Sequence, residues 1–363
     1  MNYKKKIFYF ISLILLFFTT FTLLIIYTKS YDSLNLIDSG LYQKTHHGSL
    51  SDRVTKFYIL KKNNSAKHYL LGASSAWTID PEIIKKKTNE DAINLSLGGA
   101  KIHEIEKFIS WIVKNKTGTK SVIINIEPYS FNNLQYSRLP IEIQDSIGDK
   151  LSTFFNWLVL KDTIKLLLIE LKLIKPNIIS NINNNKQKKY FDVGFRYYPE
   201  YFERKKNPLL KSQMVKSLSM NNVDFKRIKL DLKSISSLKR IQSICVKNNI
   251  KLILYFDPVS YRLLQANDYE YLYSELKIVK KIVNEIQPVY YFNNFNIINN
   301  DLSFMENSHH HYNYEAANLI LDDLLDLETY QLMDFVNNEN YNNVVDKIVN
   351  QINSKKLNAL LNN

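Results

Sequence analysis

A chain of 363 residues is long enough for one large domain or two ordinary ones. With 45% hydrophobic and 13% aromatic residues it can bury a sizeable core, which excludes a disordered chain; its single cysteine, Cys245, excludes an internal disulfide and any cysteine-based metal or redox framework. The net charge of +13 points to anionic surroundings, lipid headgroups or an acidic envelope polymer, unless the lysine- and asparagine-rich composition merely solvates the surface.

In chain order, "MNYKKK" sets Lys4, Lys5 and Lys6 before "IFYFISLILLFFTTFTLLIIY". That apolar run of about twenty residues is the length that crosses a bilayer as a helix. The flanking lysines predict a cytoplasmic N-terminus, with the remainder outside. "IIYTKSYDS" offers no small-residue cleavage site, so residues 1–30 are expected to be an uncleaved anchor in the cell membrane. An extracytoplasmic placement argues against nucleic acid as a partner. Residues 31–65, polar and aperiodic, read as a stalk.

From residue 66 onward short apolar runs alternate with amphipathic ones. The expected strands are "HYLLGA" (68–73), "AINLSL" (92–97), "SVIINIEP" (121–128), "IKLILYFDP" (250–258) and "VYYFNNF" (289–295), bounded by Gly, Pro or Asn. Helical patterns such as "KIHEIEKFISWIVKN" and "YEAANLILDDLLDL" fill the gaps. This order predicts an α/β domain over 66–330, a sheet of about five parallel strands with helices on both faces. The alternation breaks over about 132–232, which reads as a helical insertion carrying Phe191, Tyr197, Tyr198, Tyr201 and Phe202. Residues 331–363 read as a polar helical tail.

Four candidate sites fall at strand ends, where open parallel sheets bind their ligands. Gly72-Ala73-Ser74-Ser75 lets the chain turn sharply and expose a serine hydroxyl beside free backbone N–H groups; a plain helix cap is the alternative. Asn94, Gly98 and Gly99 follow the second strand, where glycine permits close backbone approach, though a tight turn has the same composition. Asn125 and Glu127 end the third strand on one face. His309, His310 and His311 stand together before a late helix with Glu306 nearby, the composition of a general base oriented by a carboxylate. No second ligand cluster accompanies them, so neither a metal nor a cofactor is expected. His46, His47, His68 and His103 read as structural, and Asp257-Pro258 reads first as a turn, with shaping of the cleft as the alternative.

Taken in order, Gly-x-Ser after the first strand, "NLSLGGAKIHE" after the second, "IEPYSF" after the third and a late "HYNYEAA" resemble the SGNH (GDSL-like) hydrolase superfamily. Within it they are similar to the membrane-anchored branch associated with acylation of cell-envelope polymers. Ile79-Asp80-Pro81 fits that branch, as does Pro258-Val259; Lys101 stands where serine is usual. The matching spans are 66–131 and 235–325. The resemblance implies a three-layer flavodoxin-like sheet and a serine-dependent O-acyltransferase that moves an acyl group, acetyl in the first instance, through an acyl-serine. Ser74 would be the nucleophile, with its own N–H and that of Gly99 in the oxyanion hole; Asn94, Asn125, Ser75 and Glu127 are candidates around the oxyanion and substrate from their places at the strand ends, Asn125 standing where glycine is usual. The base would be His309 paired with Glu306, or else His311, which has Ser308 in place of an acid three residues earlier. A cell-envelope polysaccharide or teichoic-acid-like polymer would be the acceptor, with a polytopic membrane-bound O-acyltransferase as acyl donor. An esterase or deacetylase using the same serine is one alternative, and a non-catalytic anchored polysaccharide-binding protein another.

Overall fold

The computed structural model describes residues 9, 12–20, 52–132, 212–213, 215–216, 230–305, 309–325 and 332–352. By contacts the chain divides into two compact units, Met1–Tyr58 with Gln144–Lys188, and Ile59–Ile143 with Lys189–Asn363. In the first, residues 12–20 are helical and exposed. Among the described residues no helix is long and apolar enough to cross a membrane, and most of the expected anchor lies outside them.

The second unit is an α/β body around a six-stranded, mostly parallel sheet. Its strands are β1 (His68–Leu71), β2 (Ala92–Asn94), β3 (Ser121–Ile126), β4 (Lys251–Phe256), β5 (Val289–Tyr291) and β6 (Asp334–Val336), in the order β2-β1-β3-β4-β5-β6. β1 to β5 pair in parallel, and β6 runs antiparallel to β5. The helices that frame the site are α1 (Pro81–Thr88), α2 (Ile102–Asn115), α3 (Leu232–Lys247), α4 (Ala266–Glu285), α5 (Tyr314–Leu325) and α6 (Tyr341–Ile352).

The strands form where they do because both faces of a parallel sheet are covered, so its strands are mostly apolar runs. Every residue of β1 and β3 is buried. Leu70, Ile123, Ile253 and Tyr255 share one face and pack with Ile84 of α1 and Ala316, Ala317 and Ile320 of α5. Tyr69, Val122, Ile124 and Leu254 alternate with them and are buried on the opposite face. At 25 cal/mol per Å², burying each large side chain of this kind stabilises the body by about 1.5–3 kcal/mol.

The ends of the expected insertion meet: Asn132 and Leu230 form an antiparallel bridge, and Asp231 N donates to Phe131 O at 2.8 Å. The insertion's aromatic residues 191–202 lie outside the described residues. The tail after residue 330 is not wholly helical, because Asp334–Val336 adds β6 to the sheet before α6 begins. Three residues with one exposed phenylalanine carry too short a pattern to read as a strand. α6 buries Tyr341, Val344, Val345 and Ile348, and the Tyr341 hydroxyl donates to the Leu276 carbonyl of α4 at 3.1 Å.

Candidate active site

β1 has β2 on one side and β3 on the other, so the strand order reverses at its carboxyl end. In open parallel sheets a crevice forms at such a point. Gly72 opens the turn there with φ +145°, in a region that side chains disfavour. A Cβ on Gly72 would meet Asn125 Cβ and Oδ1 at 2.5 Å, so only glycine lets the backbone press this closely on the end of β3. A short 3₁₀ helix follows over Ser74–Thr78. Asp80 then caps α1 by accepting from Glu82 N at 2.9 Å, with Pro81 in the first turn, so "IDP" is a helix start.

Ser74 is half-buried, and its Oγ lies 2.9 Å from Nε2 of His311, across 237 residues of chain. His311 is fixed from both sides. Two residues before it, Ser260 N donates to His309 O at 2.8 Å, and Ser260 Oγ meets His309 Nδ1 at 2.7 Å. Just after it, fully buried Tyr312 bridges Met305, and its carbonyl accepts from Thr78 Oγ1 at 3.3 Å. Asn313 then caps α5 through Glu315 N and Ala316 N. The imidazole is thereby tied through Thr78 to the same 3₁₀ turn that carries the serine.

The histidine expected first as the base, His309, is therefore directed elsewhere: it is buried and bonded to Ser260, which caps the one-turn helix Tyr261–Leu264. Glu306, its expected partner, lies outside the described residues. His310 lies beside His311 with ring centroids 4.3 Å apart and the two ring planes tilted by 49°.

Three polar residues expected around the oxyanion brace the turn instead. Asn94 is fully buried, and its amide donates to Ala76 O at 2.7 Å and Ile79 O at 2.9 Å while its oxygen accepts from Ser96 N. Asn125, also fully buried, accepts from Ala73 N at 2.8 Å and donates to Ser75 Oγ at 3.2 Å and to Asp257. Each has both amide hydrogens engaged, which leaves none for a substrate oxygen. Ser75 is buried, its hydroxyl bonded to Glu127 and Asp257, and its N–H reaches Glu127 Oε1 at 3.3 Å.

The loop after β2 runs beside the serine turn: Leu95 N donates to Leu70 O at 2.7 Å, Leu97 N to Gly72 O at 2.9 Å, and Trp77 Nε1 to Ser96 O at 3.1 Å. Gly99 of this loop is exposed, has φ +60°, and has open space within 4 Å of a would-be Cβ. Lys101 donates from Nζ to Tyr129 O at 2.7 Å.

Asp257, read from sequence first as a turn residue and only second as shaping the cleft, is the site residue that sequence reasoning undervalued. It lies just past β4, the neighbour of β3, where Asn125 registers opposite Tyr255. A carboxyl directly after a buried strand beside a strand-end asparagine was the available signal. Burial, and then the Glu127 charge, hold its carboxyl well above the usual carboxylate range. Behind it Asn293 donates to Asp257 O at 2.7 Å and to Glu275, whose carboxyl burial pushes up to about 7. Tyr255 and Tyr312, buried beside Asp257, hold their phenols well above the ordinary value for the same reason.

Among the described residues no group of three His, Cys, Asp or Glu side chains is placed to hold a metal ion. No protein-family model matches this chain, and no curated protein matches it.

Proposed function

We propose that this protein is an extracytoplasmic serine-dependent acyltransferase, anchored by residues 1–30 in the cell membrane. What carries the reading is the Ser74 Oγ to His311 Nε2 contact of 2.9 Å at the carboxyl rim of the sheet. The order β2-β1-β3-β4-β5, the flavodoxin-like doubly wound order, supports the SGNH-like assignment.

In the first half-reaction His311 Nε2 takes the hydroxyl proton as Ser74 Oγ attacks the acyl carbonyl. The carbonyl becomes a tetrahedral oxyanion, to which the Ser74 and Gly99 N–H groups donate. Collapse expels the donor's leaving group, which receives the proton from His311, and leaves an acyl-serine. In the second half-reaction a sugar or polyol hydroxyl gives its proton to His311 and attacks the ester, and His311 returns that proton to the departing Ser74 Oγ, releasing an O-acylated polymer. Gly99 suits its place because its φ of +60° is a backbone conformation that side chains disfavour. The acceptor is a cell-envelope polysaccharide or teichoic-acid-like polymer, consistent with the +13 charge. The acyl donor is a polytopic membrane O-acyltransferase, since activated acyl groups are made in the cytoplasm.

Incubating the full-length protein in detergent with a chromogenic acetyl ester, with and without excess oligosaccharide, tests the reading. Chromophore release that depends on Ser74 and His311, with acetyl recovered on the sugar, is the expected result. Acetyl recovered only as acetate identifies an esterase. No release, with oligosaccharide still bound, identifies a non-catalytic polysaccharide-binding protein.

A further inference from the structure

The acyl-transfer chemistry leaves unassigned the polar groups directly beneath the nucleophile turn. Ser75 Oγ, one residue after the nucleophile, contacts Glu127 Oε1 and Asp257 Oδ2 at once. Asn125 Nδ2 donates to both Ser75 Oγ and Asp257 Oδ2, while Asn125 Oδ1 accepts from Ala73 N on the other side of the nucleophile. A hydroxyl has one hydrogen, so Ser75 donates to only one of its two carboxylates. Its contact with the other is a hydrogen bond only when that carboxyl bears a proton and donates it to Ser75 Oγ. Asn125 cannot make up the difference, because both of its amide hydrogens are already placed. Keeping both contacts therefore requires one proton between the two acids; without it, two like charges would converge on one oxygen in a site where Asp257 is 3% exposed.

We propose that Asp257 and Glu127 form a proton-sharing clasp through Ser75, a positioning device that holds the Ser74 hydroxyl toward His311 and loosens when the shared proton leaves. The inference rests on Ser74 being the acyl-accepting nucleophile. The geometry makes the clasp effective because Asn125, Ser75 and both acids grip the chain on either side of position 74. The proton resides on Asp257. Tyr255 from β4, Tyr312 from the segment before α5 and Glu275 from α4 face it: the two phenols stay neutral, the Tyr312 hydroxyl bonds Asp257, and the Glu275 carboxylate disfavours a second negative charge there. Glu127 faces Lys101 from the start of α2 and Tyr271 from α4. Burial first, and the Glu127 charge second, hold Asp257 protonated to higher pH than an exposed aspartate. As pH rises the proton passes to solvent, Ser75 keeps one of its two partners, and one side of the turn is released.

The test is the rate at which a fluorophosphonate modifies Ser74 in the full-length protein, followed from about pH 5 to about pH 10. The wild type is expected to rise with loss of the His311 proton and then fall at alkaline pH as the clasp opens. Asp257→Asn supplies permanent amide hydrogens, and Glu127→Gln lets Asp257 accept from Ser75 without a second negative charge. Both variants are expected to lose the alkaline fall and keep the acid limb, which a merely structural role would not separate. Ser75→Ala cuts the clasp directly and is expected to react at least tenfold more slowly at every pH, with no alkaline fall. It serves where the other variants fail to fold by circular dichroism. Labelling at Ser74 with the wild-type alkaline fall retained in Asp257→Asn or Ser75→Ala overturns the clasp alone. Absence of labelling at Ser74 in the wild type overturns the acyl-transfer reading and the clasp with it.

Discussion

The sheet carries a serine–histidine contact at each of its ends, and the two differ in every respect that matters for chemistry. At the carboxyl rim Ser74 is half-buried on a turn, and His311 comes from a loop more than two hundred residues away. At the amino rim Ser121 Oγ meets His68 Nδ1 at 2.7 Å, on residues that sit opposite each other in the β1–β3 ladder. There both side chains are buried, and His68 Nε2 is held by Glu90 at 3.1 Å, itself paired with Lys120. Burial lowers the His68 pKa despite that carboxylate. A third contact, Ser260 with His309, joins two loops and anchors the segment that presents His311. The pairing of serine and imidazole is thus common to a brace and a candidate nucleophile. Position at the strands' carboxyl ends, and access to the hydroxyl, separate the two.

Substitutions at the two ends should diverge most in rate. His311→Gln is expected to lower ester turnover by about 10⁴-fold, whereas His68→Gln changes it by less than about threefold, measured as kcat/KM on the same acetyl ester. Equal losses at both ends would erase the distinction. On stability the largest effect belongs to Gly72→Ala, where a Cβ would overlap Asn125 and the backbone is strained; we expect a loss of about 3 kcal/mol in urea unfolding. The same change at exposed Gly99 meets no neighbour, and its cost, about 1 kcal/mol, comes from φ +60° alone.

The buried polar spine beneath the rim gives the molecule a signed pH dependence. Glu275 titrates near 4.5 unfolded and at about 7 folded. Its contribution is therefore complete below about pH 4.5 and disappears as pH rises through about 7, at most about 3 kcal/mol. Glu275→Gln should flatten that decline in urea midpoints taken at successive pH values, and an unchanged slope would remove Glu275 as its source. Smaller still is the loss expected from Ser260→Ala, about 1–2 kcal/mol for the severed His309 bond, with a severalfold drop in turnover because His311 loses its anchor. A variant that lost stability but kept full turnover would show that His311 is positioned from the Tyr312 side alone.

Much of this was legible in the sequence, and what was not has physical causes. β1 to β5 announce themselves because strands buried on both faces read as uninterrupted apolar runs ending in Gly, Pro or Asn. β6 does not, since an edge strand of three residues with Phe335 exposed has no pattern to display. Ser74 and the glycine before it could be read because turn chemistry is local. The choice between His309 and His311 could not, because it is made by Ser260, 49 residues from His309. Asn94 and Asn125 have the composition of substrate-binding groups, and only the positions of Ala76, Ile79 and Ala73 reveal them as braces. Asp257 resembles any acid in an Asp-Pro turn until β4 is set beside β3.

The central assignment, Ser74 as the nucleophile, is tested most directly by locating the adduct. Treating the full-length protein with a fluorophosphonate and sequencing the modified peptide should place one phosphonyl group on Ser74, with no modification after His311→Gln. An adduct on Ser121 or Ser260, or an unmodified protein whose fold is intact, would contradict it.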